Sequence, residues 1–276
     1  MKRIATTFEY DMMPWSFQLE HDCNQLAREQ EAEGDGLLIC LARISKICLR
    51  VADLNHHLSE TGSGANATLH ISPLIASLDE IRRTLEEDQL SHHSIVAYIS
   101  TTEVVIYQLA LLQPPSQMVL NPSILDHRRT DYLMACLKTC KNYTESYFAS
   151  DIVQFTTPTT LLFAYSLKAL YKLATLSDAG WDPTIVRQTV DIVGLLDRCA
   201  SSAEQANARL REETGEDSVF AMAAKSLRES APNWSVPNQE PQSSDSTIEG
   251  WTGSDGLNLP LMEFSDDFWL NAPFNL

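Results

Sequence analysis

No CxxC pair occurs anywhere in this chain. Its six cysteines, Cys23, Cys40, Cys48, Cys136, Cys140 and Cys199, are separated by 17, 8, 88, 4 and 59 positions. Two close-set groups of three cysteines are needed to hold two zinc ions in six thiolates, so this chain by itself is expected to carry no metal cluster and no cofactor. Cations are scarce as well: 20 Lys and Arg stand against 37 Asp and Glu, a formal charge of −17. Phosphate binding depends on clustered Lys and Arg that displace counterions, so neither direct DNA contact nor adsorption to an anionic membrane is expected of this chain alone. Residues 1–3 lead into acidic and aromatic residues rather than an apolar stretch with a small-residue cleavage site, and no secretory leader is expected. The triplets at Asn66, Asn142 and Asn233 that fit a glycosylation acceptor are then chance matches. Two apolar runs are broken by Arg43, Lys46 and Arg50, or by Lys168 and Lys172, and neither reads as a membrane span.

Signatures of enzyme chemistry are missing too. There is no Gly-rich phosphate loop, no nucleophile elbow and no HExxH pair. His56 and His57, like His92 and His93, are adjacent, and neighbours on a helix diverge by about 100°, so both pairs read as surface or turn histidines. Cys136 and Cys140 share a helical face but have no further ligands nearby, and read as small core residues. The magnesium chemistry of an all-α prenyl-diphosphate enzyme needs aspartates four apart on a cavity-lining helix. Glu86, Glu87 and Asp88 instead follow the polar side of a helix, and Asp266 and Asp267 lie in the C-terminal tail. No enzyme is expected.

What is present is helical periodicity. Residues 1–36 read as an N-terminal arm in which Phe8, Tyr10, Met12, Met13, Trp15 and Phe17 sit beside Glu9, Asp11 and Glu20, a mixture suited to docking on a partner or, as expected here, to packing on the domain. Leu37, Leu41, Ile44, Cys48 and Val51 step by four and three, with Arg43, Lys46, Arg50 and Asp53 on another face, which reads as one buried and one solvated side. Thr61–Ala67 reads as a Gly and Ser loop. Ser72 and Pro73 are expected to cap a helix carrying Leu74, Leu78, Ile81 and Leu85, with Asp79 and Arg83 as an i,i+4 pair. Residues 94–112 are apolar nearly all round, the pattern of a central helix, and Pro114 and Pro115 end it. A long helix after Pro122 aligns Leu133, Leu137, Cys140, Thr144 and Tyr147.

The clearest stretch is 158–199. Thr157 and Pro158 signal a helix start, Leu162, Tyr165, Ala169 and Leu173 carry it, and it is expected to stop near Ser177. Gly180 suits a helix end, Asp182 and Pro183 suit the next start, and Trp181 sits at the corner between the two. Val186, Val190, Val193 and Leu196 then recur at helical spacing, with Ile185, Ile192 and Cys199 widening the face, in a helix expected to run to about Arg211. A last amphipathic piece covers 218–228. The sum is an all-α, irregular array of about seven helices.

The string LKALYKLATLSDAGWDPTIVRQTVDIVGLLDR resembles the C-terminal part of the regulatory middle homology region of fungal zinc-cluster transcription factors. The matching positions are Leu173, Leu176, Ser177 and the corner motif Gly180, Trp181, Asp182, Val186 and Arg187. The segments YLMACLKTCKNYTESYF and LLICLARISKICLRVADLN also look like that region, so the resemblance covers roughly residues 37–210. It implies a helical regulatory domain over 37–230 in a nuclear protein that controls metabolic genes. It also implies zinc only where a separate cysteine cluster accompanies the chain. By the same analogy the partners are coactivators or the transcription machinery, with a DNA-binding relative or a second copy as a further possibility.

Residues 231–276 break with everything before them. From Pro232 onward there are seven carboxylates, Glu240, Asp245, Glu249, Asp255, Glu263, Asp266 and Asp267, and no Lys, Arg or His. Such a segment cannot bury enough apolar surface to fold alone and is expected to be disordered. Leu261, Phe264, Phe268, Trp269 and Leu270 are the expected docking residues, kept soluble by Glu263, Asp266 and Asp267, in the manner of acidic activation segments that present bulky side chains to coactivator grooves; the alternative is a tail that folds back to cap the helical domain through Trp269 and Phe274. The reading is a fungal transcriptional regulator, with a non-DNA-binding cofactor or antagonist of a full-length relative, or a helical small-molecule binder, as alternatives.

Overall fold

A computed structural model describes residues 14–29, 31–32, 34–113, 124–177 and 180–234. They contain ten α-helices and no strand. The all-α expectation holds, with more helices than the seven counted from periodicity because short helices and a mid-helix break escape a stripe of apolar residues. The chain divides into two compact units, one ending at Pro183 and the other beginning at Thr184.

In the first unit, α1 (Phe17–Glu29) packs on α2 (Asp35–Glu60), which also packs on α3 (Ile71–Arg83) and on the central helix α5 (His93–Tyr107). A short α4 (Glu87–Ser91) leads into α5, with a reciprocal capping box between Glu86 and Gln89. Helix α5 touches α2, α3, α4, α6 (Ile124–Ala149) and α7 (Thr157–Thr175), as its all-round apolar pattern requires. Ile95, Val104 and Ile106 are fully buried on it, each contributing roughly 1.5–3 kcal/mol relative to exposure. The run His93–Leu112 is long and apolar enough to cross a bilayer by length and composition; here half of it is buried against protein. Its last turn, Gln108–Leu112, tightens to a 3-10 helix.

The stretch between α2 and α3 is more ordered than a Gly and Ser loop. Gly62 takes a left-handed conformation (φ 64°), and residues Gly64–His70 wind into a 3-10 helix. A Cβ on Gly64 would lie 2.2 Å from the Leu112 carbonyl oxygen, so this contact between two backbone segments requires glycine. Helix α3 begins at Ile71 without a side-chain cap; Ser72 instead shares a hydrogen bond with the Tyr132 hydroxyl at 2.7 Å. The expected Asp79–Arg83 pair is replaced by Arg82, which bonds Asp79 at 2.8 Å and Glu103 at 2.6 Å. Arg82 wins because α5 supplies a second carboxylate, Glu103, on its side.

The second unit holds α8 (Thr184–Thr189), α9 (Ile192–Thr214) and α10 (Val219–Ser230), then a 3-10 turn over Ala231–Trp234. The single helix expected over 183–211 is broken at Val190–Asp191. Asp191 adopts an extended conformation and its carboxylate accepts from the Gly194 amide at 3.0 Å, so it caps α9. The break also turns the register: Val193 is 39% exposed, while Leu195 joins the core. Helices α9 and α10 pair as a hairpin, turned by left-handed Gly215 and closed by Arg228, which grips Glu204 at 2.8 and 2.9 Å and Asp197 at 2.5 Å. The 3-10 turn packs on both helices and buries Trp234 to 1% exposure, three residues beyond the change in composition.

Candidate functional site

The corner after α7 is pinned from two sides. Helix α7 has Thr156 as its N-cap, one residue before the expected Thr157, and Pro158 in its first turn; it ends at Thr175. The Trp181 indole N–H then donates to the Leu173 carbonyl at 2.8 Å, satisfying one of the acceptors that a helix end leaves open. Trp181 is 5% exposed. From α6, the Thr130 hydroxyl donates to the Gly180 carbonyl at 3.2 Å. Asp182 is exposed, and α8 starts two residues later at Thr184. Val186 is fully buried and its carbonyl accepts from Val190, whereas Arg187 lies at the surface. The corner motif is therefore a helix terminator locked by a tryptophan.

The histidines and cysteines take the structural roles their spacing suggested. His92 is the N-cap of α5, its Nδ1 accepting from the Ser94 amide at 3.3 Å, and its ring stacks on His93 with centroids 4.5 Å apart. His93 leans on Phe155, and burial, with His92 beside it, pushes its imidazole below the usual range. His56 pairs with Glu60 one turn on. All six thiols are free and buried. Cys136 and Cys140 sit side by side in the core of α6; the hydrogen bond to Cys136 first, then burial, hold the Cys140 thiol well above its ordinary value. Burial pushes the Cys199 thiol up to about 12 and Cys40 to about 11. Among the described residues no three His, Cys, Asp or Glu come together in a metal-binding group. Two cavities among the described residues, one at Cys48, Thr102 and Tyr165 and one at His93, Ser146 and Phe155, hold roughly 10 and 20 Å³, room for about one water each.

Two polar nodes, one half-buried and one buried, were not foreseen. Glu103 on α5 joins Arg82 of α3 to the Thr139 hydroxyl of α6. It is the sole charged residue in the apolar run 93–112, and an isolated acid in such a run must find a cation when buried, so a sequence signal existed. Arg129, 3% exposed, donates through Nε to the Ala110 and Gln113 carbonyls at 3.2 and 3.0 Å and so closes the end of the α5 rod. Nothing in the spacing of residues 127–131 marks it. The docking residues Leu261, Phe264, Phe268, Trp269 and Leu270, and their neighbours Glu263, Asp266 and Asp267, lie outside the described residues. So do Phe8, Tyr10, Met12 and Met13.

The ATEG07667_C family, a C-terminal domain, matches residues 149–275, from the end of α6 through the corner and the second unit to the tail. Over 202 residues the chain is 27% identical to the transcription factor opdL of Penicillium oxalicum, a match covering 70% of this chain and 34% of that protein. The chain thus spans about a third of the length of this curated relative. No solved structure matches. The corner motif therefore lies within the family match, and over 202 residues the chain is similar to a protein named as a fungal transcription factor.

Proposed function

We propose that this chain is the regulatory portion of a fungal transcriptional regulator, not an enzyme, that acts in the nucleus on a set of metabolic genes. The observation that carries this reading is the 202-residue relation to a protein named as a transcription factor. In this reading the helical body is a scaffold. Its water-sized cavities and locked corner suit a role in holding and presenting segments rather than in transforming a substrate.

The acting segment is the tail. Phe264, Phe268, Trp269 and Leu270, with Leu261, bury in a coactivator groove, while Glu263, Asp266 and Asp267 steer the encounter and keep the free segment from collapsing. The family match runs through residue 275, so these positions belong to the matched region rather than to an appended extension. The test is a reporter driven by the whole chain fused to an unrelated DNA-binding domain. Activation is expected, and Phe268→Ala with Trp269→Ala should reduce it to background. A silent wild-type fusion that is expressed and nuclear removes the activation role; repression of a co-expressed activator would instead make the chain an antagonist.

A further inference from the structure

In a chain of charge −17, helix α2 presents one basic stripe: Arg43, Lys46 and Arg50, at steps of three and four on a single face. The middle cation is already used. Lys46 pairs with the Glu20 carboxylate of α1 and lies 5.0 Å from the centroid of the Trp15 ring, whose indole N–H donates to the same carboxylate oxygen at 2.8 Å. Glu20 is the group this stripe recognises within the chain. Its carboxyl is held below the usual range by Lys46 first and Trp15 second, with Arg43 a smaller contributor. The flanking cations differ. Arg50 is exposed and Arg43 half-buried, and neither makes an ion pair among the described residues. On α1, Phe17, two residues after Trp15 and three before Glu20, is 87% exposed. Of the thirteen residues of α1 only Cys23 is buried, so this rim is peripheral to the core.

We propose that Arg43, Arg50 and Phe17, arranged around the Trp15–Glu20–Lys46 contact, form a docking surface for an acidic segment of a partner protein that carries an apolar side chain beside its carboxylates. Seven helical residues separate the two arginines, about 10 Å along the axis. Two carboxylates at that separation, seven residues apart on a helix or three apart in an extended strand, can each meet a guanidinium fork. The apolar side chain covers Phe17, which a partner of pure charge would leave in water. Nucleic acid fits less well: two arginines release few counterions, and phosphate backbone offers no apolar side chain to cover Phe17.

The experiment uses the full chain and fluorescence anisotropy with a short fluorescein-labelled peptide alternating Glu with Trp and Leu. Arg43→Glu with Arg50→Glu should weaken binding about tenfold, from two surface pairs reversed. Lys138→Glu with Lys225→Glu, which changes net charge equally at exposed sites elsewhere, should stay within about twofold. In the wild-type chain, saturating peptide should slow amide hydrogen exchange across residues 39–50. Equal weakening in both double variants, no binding by the wild type, no protection of 39–50, or preferential binding of a labelled single-stranded DNA in place of the peptide would each overturn the proposal.

Discussion

Replacing Trp181 separates the two ways in which it holds the corner. Trp181→Phe keeps an aromatic ring at a site only 5% exposed but removes the indole N–H, leaving the Leu173 carbonyl without its 2.8 Å partner. Loss of a buried hydrogen bond with one partner stranded costs about 1–3 kcal/mol, and the smaller ring leaves a cavity worth roughly 1 kcal/mol more. Trp181→Ala removes the ring as well and should cost about 3–5 kcal/mol. The expected order is wild type, then Phe, then Ala, with gaps large against experimental error. Urea unfolding followed by far-UV ellipticity is the suitable assay, because five tryptophans make fluorescence ambiguous. If Trp181→Phe costs less than about 0.5 kcal/mol, the hydrogen bond does not hold the corner. If Trp181→Ala is no worse than Trp181→Phe, the ring is not packed either, and the account of the motif as a lock is wrong.

Two further outcomes follow from other contacts. Gly64→Ala drives a methyl group to within 2.2 Å of backbone at Leu112, so the 3-10 helices must part; a loss of about 1–3 kcal/mol is expected in the same assay, and a wild-type urea midpoint would refute the close approach. His93 titrates below its ordinary value near 6.5, so the unfolded chain takes up that proton first as pH falls. Both states are neutral above about 6.5, where the group contributes nothing; stability should decline as pH drops from there through the folded-state value, and His93→Asn should flatten that part of the pH profile.

Much of the fold was legible because burial leaves a periodic trace. Ile44, Cys48 and Val51 on α2, Leu74 and Leu78 on α3, and Leu133, Leu137 and Cys140 on α6 are buried as their spacing implied. So was the central place of α5, since a helix apolar all round has no solvent face to offer. The break at Asp191 was missed because Val190, Val193 and Leu196 continue a helical stripe on paper. An aspartate that accepts from the amide three residues on can end one helix and start another without disturbing that count. At the corner, Trp181 was placed by its setting between Gly180 and Asp182, yet its acceptor was not: the Leu173 carbonyl lies eight residues back, and no local pattern encodes that bond.

By itself the sequence determined the all-α class, the core faces of the main helices, the corner after α7 and the acidic, cation-free composition of the last 45 residues. These follow from apolar periodicity, from the conformational limits of Gly and Pro and from charge, all of which act within a few residues. Only the tertiary structure decided which polar groups meet. Arg82 rather than Arg83 pairs with Asp79 because Glu103 stands beside it, Arg129 is buried because two carbonyls at the end of α5 accept from it, and Lys46 is occupied while Arg43 and Arg50 have no ion pair among the described residues. Pairing at about 3 Å depends on the register of one helix against another, and that register is set by the packed core as a whole rather than by any one stretch of chain.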